Sequence, residues 1–76
     1  MPAKEMLQCA FKKYKERNSG RVDVAKLARE CGLSYSTVYS PLYKGRNAGA
    51  ETWFKIMQAL GAVKYDESGI HIDNAS

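Results

Sequence analysis

Histidine and cysteine are scarce in this sequence, and that scarcity closes off several chemistries at once. There is one histidine, His71, and there are two cysteines, Cys9 and Cys31. Two cysteines are too few for a disulfide framework, and with one histidine there is no zinc-ligand spacing, so neither a metal nor a cofactor is expected. Cys9 and Cys31 are read instead as small buried hydrophobes of a reduced protein. No paired-carboxylate, Cys/His or Ser/His/Asp constellation is present, and 76 residues leave little room for a cleft, so an enzyme is not expected. No apolar run approaches the ~20 residues of a membrane span, and residues 1–11 lack the apolar core of a leader. The expectation is a cytoplasmic protein with no membrane partner. Internal repeats and low-complexity tracts are absent as well.

The chain does have positive charge, unevenly spread. All 12 Lys and Arg residues and five of the acids fall within residues 1–65, leaving that stretch at +7, while Asp66, Glu67 and Asp73 leave the end at −3. A basic body with an acidic end suits a polyanion-binding face beside a non-binding terminus. The length suits a single domain, residues 1–76, whose small core gains from tight helix packing or a partner subunit.

Apolar periodicity places the helices. Residues 3–17 carry Met6, Leu7, Ala10, Phe11 and Tyr14 at helical spacing, with Pro2 before them and Asn18-Ser19-Gly20 after. Lys12, Lys13, Lys15 and Arg17 complement the end of that helix dipole and are read as a solvated helix end rather than a binding surface. Asp23 is an N-cap, with Val22 stapled to Leu27, for a short helix over 24–31 whose Ala25, Leu27, Ala28 and Cys31 face inward. Gly32 stops it, Leu33 packs into the turn and Ser34 caps a third helix from Tyr35 to about Tyr43. Pro41 within that helix predicts a kink or a new turn beginning there. After the loop Gly45-Arg46-Asn47-Ala48-Gly49, residues 50–60 form a fourth helix with Trp53, Ile56, Met57 and Leu60 on a core stripe. Residues 62–73 read as a β-hairpin around Asp66-Glu67-Ser68-Gly69, with His71 toward solvent. An isolated hairpin is marginal, so it packs on the helices or pairs with another subunit.

Two helices joined by Cys31-Gly32-Leu33-Ser34 meet the needs of a helix-turn-helix, here residues 23–44. Ala28 permits close approach, Gly32 takes the left-handed turn, and Leu27, Leu33, Val38 and Leu42 supply the shared core. The chain at this point resembles the lambda repressor/Cro-like (XRE-type) helix-turn-helix family over roughly residues 5–61. The resemblance rests on Leu27-Ala28, Gly32-Leu33-Ser34, Val38-Tyr39 and Leu42, then Gly45-Arg46-Asn47 and the stretch Thr52 to Gly61 with its Ala-Leu-Gly ending. Within the family it is similar to prophage regulators and to the antidotes of Hig-type addiction modules. It departs at Ala48, where those antidotes often carry proline, and in the C-terminal hairpin, which lies outside the resemblance.

The resemblance implies a mainly α, four- to five-helix lambda-repressor-like DNA-binding domain with a short C-terminal hairpin, its third helix in the major groove of double-stranded DNA. The family's base-reading positions fall on Tyr35, Ser36 and Ser40. On a helical wheel Ser36, Thr37, Ser40 and Tyr43 point outward with Tyr39 on the flank and Tyr35 nearer the core, so Thr37 and Tyr39 join the candidate base contacts. Hydroxyls tolerate several bases, and no Gln, Asn or Arg stands on this face, which implies modest direct readout with a larger share for DNA shape. Tyr39 and Tyr43 either reach DNA or pack on neighbouring helices. Lys44, Arg46 and Asn47, with Tyr43, and Arg21 and Lys26 at the start of the second helix, are the candidate phosphate contacts; the alternative for Lys44 and Arg46 is plain solvated charge. The expectation is a sequence-specific transcriptional regulator, a repressor acting as a homodimer on a two-fold operator. An antitoxin that also binds a toxin protein is the alternative, and a pure protein-interaction module is a third.

Overall fold

The computed structural model describes the backbone of residues 2–66 and 69–72 and the side chains of residues 2–63. Four helices come first: α1 (Ala3–Arg17), α2 (Val24–Cys31), α3 (Tyr35–Tyr43) and α4 (Ala50–Ala59). Two short strands follow, β1 (Val63–Asp66) and β2 (Gly69–Ile72), paired antiparallel with Val63 opposite Ile72 and Asp66 opposite Gly69. The orientation expected for His71 and the turn residues 67 and 68 lie outside the described residues.

Helices α1 to α4 share one core. Leu7, Ala10 and Phe11 of α1 meet Val24, Leu27, Ala28 and Cys31 of α2, Val38 and Leu42 of α3, and Ile56 and Met57 of α4, with Leu60, Ala62 and Val63 closing the base. Leu33, Tyr39 and Trp53 pack against its margin. No helix among the described residues is long and apolar enough to cross a membrane.

The α2–α3 connection is the most completely determined part of the chain. The Asp23 carboxylate accepts the Lys26 amide at 3.1 Å and caps α2. At the other end Gly32 is left-handed, φ 69° and ψ 30°. The Leu33 amide donates to the Ala28 carbonyl at 3.0 Å and the Gly32 amide to that of Arg29 at 3.2 Å, the paired bonds of a Schellman ending. Ser34 then caps α3 by accepting the Thr37 amide. A Cβ at Gly32 would touch nothing within 4 Å, so any cost of substitution there lies in the backbone. Gly32→Ala should therefore lose about 1 kcal/mol in chemical denaturation, with Gly32→Asn losing less. An unchanged midpoint for the alanine variant would show that the turn is not held left-handed.

Two expectations are corrected here. Ala25 is exposed and Val24 is buried in its place. With Val24 as the first helical residue, the inward stripe is Val24, Leu27, Ala28 and Cys31, and Ala25 shares its face with solvent-facing Arg29. No new turn begins at Pro41 either, because α3 runs through it as one element to Tyr43. Proline removes one donor from the helix interior; the end of the helix gains others, since Gln8 Nε2 of α1 donates to the Pro41 carbonyl at 2.8 Å and the Lys44 amide donates to Ser40 at 2.9 Å.

Side chains of α1 and α4 tie the bundle across its ends. The Arg17 guanidinium donates to the Leu60 carbonyl at 2.7 Å, finishing α4, and the Trp53 indole donates to the Ala3 carbonyl at 2.8 Å, holding the start of α1. Trp53 is accordingly half-buried at the edge of its stripe, while Ile56, Met57 and Leu60 are fully buried.

The cysteines differ. Cys31 is buried and donates its thiol to the Lys55 carbonyl, whereas Cys9 is only half-buried, short of the full burial expected. Burial pushes the Cys31 thiol up, the Glu30 carboxylate adds to the rise and Lys55 opposes it. Iodoacetamide at neutral pH should label Cys9 first and reach Cys31 only on unfolding, as read by peptide mass mapping. Equal labelling of both in the folded protein would contradict this packing.

Candidate nucleic-acid interface

Helix α3 presents two kinds of surface. Val38, Pro41 and Leu42 are buried, so the outer side is left to Ser36, Ser40 and Tyr43, with Tyr39 and then Tyr35 on one flank and Thr37 on the other. Tyr35 is 54 % exposed and Tyr43 46 %. Tyr35 falls nearer the core side on the helical wheel, yet as the first helical residue its side chain stays exposed, as expected of a side chain at the helix start.

The three tyrosines form a ladder at i, i+4 and i+8. Tyr35 and Tyr39 stack with centroids 5.7 Å apart and rings 16° from parallel; Tyr39 and Tyr43 stack at 4.7 Å and 21°. The ladder ends against α1, where Tyr43 meets the Phe11 ring edge-on at 5.2 Å. Of the two readings for Tyr39 and Tyr43, packing on neighbouring rings is the one the structure shows, and Tyr43 keeps an exposed side. Burial raises the Tyr43 phenol above its ordinary range, followed by the nearby phenols of Tyr39 and Tyr35. It remains a neutral hydroxyl at physiological pH.

On the opposite flank Ser36, Thr37 and Ser40 line a shallow concavity of about 310 Å³ with Arg46, Asn47 and Thr52. The loop after α3 is folded back by the Arg46 amide, which donates to the Ser40 carbonyl at 3.3 Å, and by Gly45 at φ 65°. That return places Arg46 and Asn47 beside hydroxyls that precede them by about two helical turns. Thr37 Oγ1 shares a hydrogen bond with Ser34, so the capping side chain holds it in place.

The cations sort into two groups. Lys44 caps α3 and Arg46 and Asn47 follow, all three exposed. Neither Lys44 nor Arg46 takes part in an ion pair among the described residues, where Lys55 pairs with Glu51 at 3.2 Å. Lys4 of α1 joins this end, its ammonium 3.7 Å from the position a Cβ on Gly45 would occupy. Sequence reasoning missed Lys4 because it lies about forty positions from the loop it meets, and only the α1–α3 packing brings them together. Arg21 and Lys26 are exposed at the start of α2, outside the concavity. The expected anion site there is weakened by the Asp23 carboxylate, which takes the Lys26 amide and sets negative charge where a phosphate would sit.

Among the described residues no group of three or more His, Cys, Asp or Glu side chains is placed to hold a metal. Comparison with family models, curated proteins and solved structures finds no match.

Proposed function

We propose that the protein is a sequence-specific, double-stranded DNA-binding repressor of the lambda repressor/Cro-like helix-turn-helix kind, with α3 as the reading helix. The observation that carries the reading is the α2–α3 unit: two capped helices joined by a left-handed Gly32 turn, with the outer side of α3 uncovered and Lys4, Lys44 and Arg46 at its end. An exposed helix flanked by cations that form no ion pair among the described residues matches the need to enter a groove while neutralising phosphates.

In this reading Ser36, Thr37, Ser40 and Tyr35 face base edges, and Lys44, Arg46 and Asn47 hold the backbone. Hydroxyls donate or accept with little preference among bases, so the direct readout is modest. One short reading helix buries little surface, and the protein works as a dimer whose two α3 helices meet successive major grooves, about 34 Å apart.

Selection from a random duplex pool at 0.1 M salt (~10 Å screening length) tests the proposal. Enrichment of a two-fold symmetric site is the expected result. A pool that remains unenriched, or a footprint covering a single half-site at nanomolar affinity, overturns the repressor reading or its dimeric form respectively.

A further inference from the structure

The tyrosine ladder has a chemistry of its own, distinct from the hydroxyl flank. We propose that Tyr35, Tyr39 and Tyr43 read the C5-methyl groups of pyrimidines, so that the protein prefers thymine, and equally 5-methylcytosine, along one strand of its site. This rests on α3 being the DNA-reading helix.

Three observations support it. First, the rings stack on one another at 16° and 21°, so the faces of the middle ring are spent inside the ladder and the outward parts are ring edges and hydroxyls. A ladder of that kind is closed to an inserted base and open to small groups laid along its side. Second, ring spacings of 5.7 and 4.7 Å bound the ladder at about 10 Å, which matches about three base steps at about 3.4 Å each. The ladder therefore has the length of a short run of bases. Third, the methyl on C5 is the one apolar group that base edges offer in the major groove. An amino group or a carbonyl oxygen set against a ring edge, away from the phenol hydroxyl, would lose its water without replacement, whereas a methyl gains from leaving water. Tyr35 and Tyr43 are 54 % and 46 % exposed, and the Tyr43 end of the ladder runs into exposed Lys44, with the Lys4 ammonium near Gly45; these cations complement the phosphates that bring such a strand to the ladder.

The test compares paired duplexes of one mixed sequence, differing only in thymine against deoxyuridine, with a second pair differing only in 5-methylcytosine against cytosine. The methylated member of each pair should bind about threefold to fivefold more tightly per contacted methyl. Tyr35→Ser combined with Tyr43→Ser should weaken binding to every duplex and carry the affinity ratio within each pair at least halfway to one; circular dichroism verifies the fold, and a wild-type ratio in folded variant protein overturns the inference. Equal binding of both members of each pair by the wild-type protein overturns the inference and leaves the DNA-binding reading standing. Tighter binding to single strands of the same sequence also overturns it, since the ladder would then be stacking bases. Absence of salt-dependent binding to any duplex removes the DNA-binding reading itself, and the inference with it.

Discussion

Reversing the charge of Lys44 and Arg46 together, to glutamate, should weaken duplex binding at least about a hundredfold near 0.1 M salt and lower the log–log salt slope by about two. The slope is the more informative readout, because it counts the phosphates a protein neutralises and is insensitive to small changes in concentration of active protein. Lys44 ends α3 and Arg46 begins the return toward α4, so both lie where a phosphate backbone would pass if α3 entered the groove. Both are exposed, and neither takes part in an ion pair among the described residues, so reversal removes no partner from the fold. The helical signal and the denaturation midpoint should be retained. Folded variant protein that binds with unchanged affinity and slope would remove the basic edge from the interface and favour a protein-interaction role.

Ile56→Ala should produce the largest loss of stability, about 3 kcal/mol within the usual range for emptying a core isoleucine. Ile56 is 1 % exposed and sits in the one cluster that joins all four helices. A domain of this size commonly holds only about 5 kcal/mol in reserve, so the variant would keep less than half of it. The urea midpoint should fall by about 2 M. Neighbouring Met57 can fill part of the space, which sets the loss near the middle of the range rather than its top. A midpoint within experimental error of the wild type would mean that α4 does not pack as described.

The α2–α3 unit was legible residue by residue because its determinants are local. Asp23, Gly32 and Ser34 each act on groups within four positions of themselves, and the structure has all three in those roles. Ala25 was misplaced because a single apolar residue beside the stripe fits either face until the first helical residue is fixed. No new turn begins at Pro41, and its carbonyl is met by Gln8 from thirty-three positions earlier, a contact that no local pattern shows. The same holds for Arg17 on Leu60, Trp53 on Ala3 and Lys4 beside Gly45: each is a long-range contact made by a side chain whose own local pattern says only that it is polar or amphipathic. The tyrosine ladder was available in principle, since Tyr35, Tyr39 and Tyr43 repeat at i+4 spacing. The pattern of any one tyrosine does not show the stack, which is a property of the row.

The candidate interface divides in the same way. Ser36, Thr37, Ser40, Arg46 and Asn47 gather around one concavity although the loop residues are not on the helix. Arg21 and Lys26 stay apart from them because α2 begins away from that concavity and Asp23 has already claimed the cap. A face built this way offers hydroxyls on one flank, aromatic edges on the other and charge at one end.

The most direct measurement of where the protein binds is an amide chemical-shift titration of the 15N-labelled chain with a short duplex, followed residue by residue at low and moderate salt. Shifts should concentrate on residues 34–47 and on Lys4 and shrink as salt rises. Shifts centred instead on the separate concavity lined by Glu30, Gln58 and Ala59, or none at any salt, would contradict binding through α3.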